Sequence, residues 1–162
     1  MKFLVKMLST GFFLGYMPIA PGTFGTLLGV LLFYLLWPLP HYIYSVTLVT
    51  LILFASWIST LAEGLFNERD SQKIVIDEVV GYLVAVAFHP WGIFNAVAAF
   101  VLFRLFDIIK PFPIGLIDRK LRAGWGVVFD DVLAGVYANI CLIALNFGLS
   151  TLNSQLSTIN QI

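Results

Sequence analysis

Charge is what this chain has least of. Asp, Glu, Lys and Arg make up 11% of its 162 residues, against roughly 25% in an ordinary soluble domain. With 60% hydrophobic residues and a mean hydropathy of +0.95, the deficit excludes the water-soluble globular class. The nine basic and nine acidic side chains cancel, and no Lys/Arg block is dense enough to follow a phosphate backbone, so nucleic acid is excluded as a partner. Cysteine is nearly absent. Cys141 stands alone in an apolar run, which rules out an intrachain disulfide and leaves thiol-based phosphatase chemistry without a nucleophile. Two histidines, His41 and His89, form no Cys/His zinc set, and no Gly-x-Ser-x-Gly elbow or Walker loop occurs.

The few charges are grouped. Lys2 and Lys6 form one cluster; Glu63, Glu68, Arg69, Asp70, Lys73, Asp77 and Glu78 a second; Arg104, Asp107, Lys110, Asp118, Arg119, Lys120, Arg122, Asp130 and Asp131 a third. Residues 7–62 carry no charge, and Pro38, Pro40 and His41 divide them into apolar arms at Gly22–Trp37 and Tyr42–Leu61. As helices these arms are about 24 and 30 Å long, the second sufficient for a hydrocarbon core. Trp37, Tyr42 and Tyr44 flank the turn as interfacial aromatics do. Residues 79–103 are again uncharged, but His89-Pro90-Trp91-Gly92 interrupts them. The expected structure is a short helical hairpin, either re-entrant or with its charged ends sunk into protein or a wet cavity. A single unbroken span would place four basic residues on one side and five on the other, abolishing the usual orientation bias. Val132–Phe147 supplies a further crossing, and the uncharged polar tail, residues 150–162, is expected to fray.

The fold class expected is therefore all-α: a multi-pass membrane helical bundle forming one domain over residues 1–162. In residues 1–9, Phe3, Leu4, Met7 and Leu8 share a face opposite Lys2 and Lys6, as in an interfacial helix. Gly11, Gly15, Pro18 and Pro21 break the signal-peptide pattern, so this segment is expected to be retained. The far side carries no Lys or Arg, which makes the charged face cytoplasmic.

Two segments on that face share a pattern, Asp77-Glu78 followed by Gly81 and Asp130-Asp131 followed by Gly135. Helix capping accounts for one acid in each pair. A second adjacent carboxylate beside hydrocarbon calls for another reason, and the glycines allow helices to approach closely enough to join the pairs. Asp107 falls near a helix C-terminus, where the dipole disfavours an anion, with Arg104 and Lys110 three residues to either side. This is either a local salt-bridge cluster or a metal carboxylate flanked by phosphate-binding cations. Asp77, Glu78, Asp107, Asp130 and Asp131 together would repel unless neutralised, and an all-oxygen set suits Mg²⁺. Gly22, Thr23 and Thr26, at the start of the first long helix, could present N–H and hydroxyl groups to phosphate, or serve only as ordinary helix-start residues. The basic stretch Asp118–Arg122 is read as a solvated patch attracted to anionic lipid.

Set side by side, Ala20-Pro21-Gly22-Thr23-Phe24-Gly25-Thr26, Ile74-Val75-Ile76-Asp77-Glu78-Val79-Val80-Gly81, the stretch Phe103–Ile114, and Gly126–Gly135 resemble the phosphatidylglycerophosphatase A family, in that family's order. Asp70 also fits its pattern, whereas Ala123 and Trp125 depart from its usual glycine-rich and aliphatic choices. The resemblance implies a Mg²⁺-dependent phosphatase of the bacterial inner membrane, acting in phospholipid biosynthesis. It would remove the terminal phosphate of phosphatidylglycerophosphate to leave phosphatidylglycerol. Asp77, Asp107 and Asp131 would be catalytic, and Arg104 and Lys110 would hold phosphoryl oxygens. A small ion or solute transporter using interfacial carboxylates is the alternative; it predicts charges within spans, whereas here they sit at helix ends. A non-catalytic scaffold is a second alternative, and the Asp-Gly/Ala-Arg signature of the CDP-alcohol phosphotransferases is missing.

Overall fold

A computed structural model describes residues 1–115 and 123–159, with the side chains of 156–159 excepted. The described residues form six α-helices and no strand: α1 (Lys2–Ser9), α2 (Pro21–Leu36), α3 (His41–Phe66), α4 (Ile76–Ala85), α5 (Ile93–Ile109) and α6 (Gly124–Ile159), with one 3₁₀ turn at Leu14–Tyr16. The chain is a helical membrane protein. α3 and α6 are long and apolar enough to span a bilayer, yet only 28% and 22% of the residues in their most apolar stretches are buried within the protein. Leu31, Leu35, Val46, Trp57, Val97, Ile108 and Ile140 are among many large apolar side chains facing outward, an exterior suited to lipid rather than water.

The described charged residues gather at one end of the bundle. Val5 of α1 packs with Ala62 of α3 and Ile74, a Cβ on Gly22 of α2 would collide with Glu78 of α4, and one on Gly124 of α6 would collide with Thr60 of α3. The opposite end is built from the α2–α3 turn and the α4–α5 loop. There the Phe88 ring lies 5.7 Å from His41 and 6.1 Å from Tyr44, and Trp91 lies 5.0 Å from Tyr34 and 5.7 Å from Phe33. Residues 79–103 therefore do turn back. The hairpin is not shallow, because its tip reaches the level of the α2–α3 turn.

α4 manages this with only ten residues, about 15 Å of helix, so its last turn ends inside the protein. Tyr82, Leu83, Ala85 and Val86 are completely or almost completely buried, and carbonyls left unpaired there would each cost about 1–3 kcal/mol. All find donors. Val86 N–H donates to Tyr82 O (3.1 Å) and Ala87 N–H to Val84 O (3.2 Å). Tyr44 Oη donates to Leu83 O at 2.7 Å, and Asn139 Nδ2 of α6 lies 3.2, 3.0 and 3.0 Å from the carbonyls of Val84, Ala85 and Ala87. One level further out, Asn95 Nδ2 donates to Pro90 O and Asn146 Nδ2 to Asn95 Oδ1, both at 3.0 Å. Polar side chains from α3, α5 and α6 thus close the hairpin tip.

Two expectations are corrected here. The polar segment from Ser150 is helical to Ile159 as a continuation of α6; Ser150 and Thr151 hydroxyls donate back to Phe147 O, and propagating an established helix costs far less than starting one. α6 also begins at Gly124, so Asp130 and Asp131 lie in its second turn and cap nothing. The basic stretch around Arg119 lies outside the described residues.

Replacing Asn139 by Ala removes the donor shared by the α4 carbonyls. Reversible unfolding in mixed detergent micelles is expected to show a loss of about 1–3 kcal/mol. Asn139→Asp, which cannot donate, should lose at least as much. Unchanged stability in both variants would contradict this account of the hairpin.

Candidate functional site

The charged end opens into a cleft of about 420 Å³ whose walls include Asp77, Glu78, Arg104, Asp107, Lys110, Asp130 and Asp131. Three helices deliver these groups. Asp77 and Glu78 stand in the first turn of α4, which has Val75 at its N-cap and no side-chain cap bond. Asp77 Oδ1 instead accepts the Glu78 N–H at 3.1 Å. Arg104 and Asp107 come from the last turns of α5, and Asp130 and Asp131 from α6.

Small residues set the spacing. A Cβ on Gly81 would lie 2.9 Å from Asp131 O and 2.5 Å from the Phe103 ring, and one on Gly135 would run into Gly81 O. α4 and α6 therefore cross backbone against backbone beside the two acidic pairs. A Cβ on Gly22 would likewise run into Glu78 Oε1 and lie 2.9 Å from Arg104 Nη1, so the start of α2 sits tight against the cleft.

Carboxylate oxygens of Asp77, Glu78 and Asp131 come within 4.8 Å of one another. Arg104 Nη1 is 2.5 Å from Asp107 Oδ2 and 3.8 Å from Glu78 Oε1. Lys110 pairs with Asp130 on α6. Lys110 follows the end of α5 with a left-handed backbone (φ 45°), and so points across the cleft rather than along Asp107's face as helical spacing implied. Of the five carboxylates expected together, three share one focus. Asp107 and Asp130 are each engaged by a cation, although Asp107 remains within electrostatic reach of Glu78 and Asp131. Glu78 Oε2 is buried and has no hydrogen-bond partner among the described residues. A buried orphaned oxygen on a carboxylate grouped with two more is an arrangement that accommodates a hard cation.

Electrostatics say the same. Burial, then the neighbouring Glu78 charge, holds the Asp77 carboxyl well above the usual carboxylate range. Burial pushes Glu78 up to about 8, against the favourable pull of Arg104. Without a cation the cluster keeps protons at neutral pH.

Gly22 lines the cleft, but Thr23 and Thr26 do not. Thr23 N–H donates to Ala20 O, and the buried Thr26 hydroxyl donates to Gly22 O at 2.9 Å, so both groups are used within the start of α2. Sequence reasoning missed Ser71 and Gln72, which line the cleft beside Asp70 on the α3–α4 connection. Their only signal was being polar residues shortly before the Asp-Glu pair. His41 and His89 lie at the other end, as expected.

A helical membrane protein that gathers buried carboxylates, an arginine and a lysine in one open cleft has the makings of an enzyme acting on phosphorylated lipids. The chain belongs to the phosphatidylglycerophosphatase A family, which it matches over residues 7–146, and family and relatives make it a lipid phosphomonoester hydrolase. A Haemophilus influenzae phosphatidylglycerophosphatase A is 38% identical over 145 residues, 88% of this chain and 89% of its own. The Escherichia coli protein of that name is 35% identical over 131 residues, 80% of this chain and 76% of its own. A Bacteroides thetaiotaomicron protein provisionally named a phosphatidylinositol-3-phosphatase is 38% identical over 149 residues, 87% of this chain and 92% of its own. No solved structure matches the chain.

Raised carboxyl pKa values carry a definite sign. The folded, metal-free protein binds protons that the unfolded chain has released, so stability is greatest below the ordinary glutamate range and is lost as pH rises through about 8. In EDTA, thermal unfolding should occur at lower temperature at pH 9 than at pH 6, by the equivalent of a few kcal/mol. Glu78→Gln should remove much of the difference. A pH-independent melting temperature would show that the cluster is not strained in this way.

Proposed function

We propose that this protein removes the terminal phosphate of phosphatidylglycerophosphate, in a reaction that depends on Mg²⁺ and serves phospholipid biosynthesis. The observation that carries the reading is the focus of Asp77, Glu78 and Asp131 within 4.8 Å, in a cleft that Arg104 and Lys110 also line and where Glu78 Oε2 is buried without a hydrogen-bond partner among the described residues. Those three carboxylates would hold the ion. A divalent cation in such a site neutralises phosphate charge and acidifies an attacking water.

The chain's own groups divide the remaining work. Arg104 and Lys110 offer hydrogen-bond donors to phosphoryl oxygens, where negative charge grows during the reaction. Asp107 and Asp130 act on them as positioning residues, since each carboxylate fixes one cationic side chain at the cleft wall. Gly22 keeps the α2 side of the cleft free of a side chain that would displace Glu78 and Arg104. The apolar exterior suits acyl chains that stay in lipid while the head group meets the charged end. In this reading the bundle crosses the bacterial cytoplasmic membrane several times. The charged end faces the cytoplasm, supported by the confinement of the described Lys and Arg residues to that end.

Purified protein should release phosphate from phosphatidylglycerophosphate with Mg²⁺, stop in EDTA and recover when Mg²⁺ is restored. Asp77→Asn and Asp131→Asn should each lower kcat by about 10²–10³-fold or more. Both should fold at least as stably as the parent in metal-free buffer at pH 9, where the parent cluster carries buried like charges and each variant one fewer. Metal-independent turnover, or full activity in both variants, would refute the assignment. In calorimetry at pH 7 across buffers of different ionisation enthalpy, Mg²⁺ binding should release protons, and fewer above pH 8.5, as the Glu78 shift dictates.

A further inference from the structure

Beside the reaction cleft lies a second polar hollow of about 310 Å³, and the two share Pro21, Ser71 and Gln72. Its walls are held by backbone. Gly15 in the 3₁₀ turn has no room for a side chain because Lys73 O lies against it, and Val75 N–H donates to Ser9 O at 2.9 Å. Lys73 and Glu68 bring opposite charges to the hollow, and Tyr16 stands with them. The Lys73 ammonium lies 5.5 Å from the Phe66 ring centroid, a contact that steadies the charge without neutralising it. Ser71 Oγ donates to Glu68 Oε2 at 2.5 Å, which orients that carboxylate. Met17, which lines the hollow, and Ile19, two residues on, are exposed apolar side chains, so the hollow has a lipid-compatible edge.

A lipid bound by its terminal phosphate must lead the rest of its head group out of the cleft toward its acyl chains. Where the head group is a polyol joined to diacylglycerol through a phosphodiester, one more negative charge and one or more hydroxyls follow the reacting phosphate within a few bonds. We propose that the hollow is the subsite for this diester-bearing polyol portion, with Lys73 meeting the diester oxygens and Glu68 accepting from a polyol hydroxyl. The proposal rests on the reading of the neighbouring cleft as the phosphomonoester site. It would make the protein discriminate among lipid phosphomonoesters by what separates the phosphate from the diacylglycerol.

Direct binding tests this without turnover. Full-length protein in detergent, with Mg²⁺, is titrated with glycerophosphoglycerol, which carries a diester and no monoester, and with glycerol 3-phosphate, which carries only a monoester. Lys73→Gln should weaken the first by about tenfold, close to the worth of one charge-assisted contact, and the second by less than about twofold. Lys73→Arg should restore binding, and Tyr16→Phe provides a milder second probe should Lys73→Gln fold poorly. On phosphatidylglycerophosphate the Lys73→Gln change should appear in KM rather than kcat. Equal weakening of both ligands, or of neither, overturns the subsite. Diester binding that depends on Lys73 in a protein that hydrolyses no lipid phosphate would instead overturn the reading of the cleft and leave the subsite standing.

Discussion

Everything at the charged end depends on how α4 is allowed to stop. A ten-residue helix that ends among buried apolar side chains is unstable unless its carbonyls are answered, because no water reaches them. Tyr44 from α3 and Asn139 from α6 answer them. With the tip closed, α5 runs back to the end from which α4 came and delivers Arg104 and Asp107 opposite Glu78. Had residues 79–103 crossed once as a single helix, the acids of α4 and those of α5 and α6 would lie a membrane's thickness apart.

The same packing that assembles the cleft makes it electrostatically unfavourable. Gly81 and Gly135 let α4 and α6 touch along their backbones, which forces Asp77, Glu78 and Asp131 into one partly desolvated focus. Arg104 and Lys110 relieve part of the repulsion, each committed chiefly to its own carboxylate. The rest is held as raised proton affinity at Asp77 and Glu78. A site of this kind gains by binding a cation, since a group that replaces those protons also removes the repulsion.

Much of this was legible in the order of residues. The break at His89–Gly92, the repeated acid-acid-glycine pattern and the position of Asp107 between Arg104 and Lys110 all led to the correct helices. Their limits were local. Helical periodicity put Lys110 on Asp107's face, but the left-handed residue after α5 turned it to Asp130. Thr26 looked like a phosphate donor, yet a hydroxyl four residues after Gly22 in a helix reaches that residue's carbonyl first. Asn139 gave only the faint signal of a polar group within an apolar run, and Tyr44, read from the sequence as an interfacial aromatic, is instead buried with its hydroxyl on Leu83 O.

Composition and charge spacing alone were enough for the class of protein, the end at which its charges gather and the acids that line the cleft there. Those features follow from short-range rules: apolar length, proline and glycine breaks, and the cost of charge in hydrocarbon. Which carboxylates share a focus, which are claimed by Arg104 and Lys110, and where a second polar hollow opens beside the cleft were decided only by the tertiary structure. They depend on contacts between residues far apart in the chain, such as Gly81 with Gly135 and Lys110 with Asp130, whose geometry no local pattern encodes.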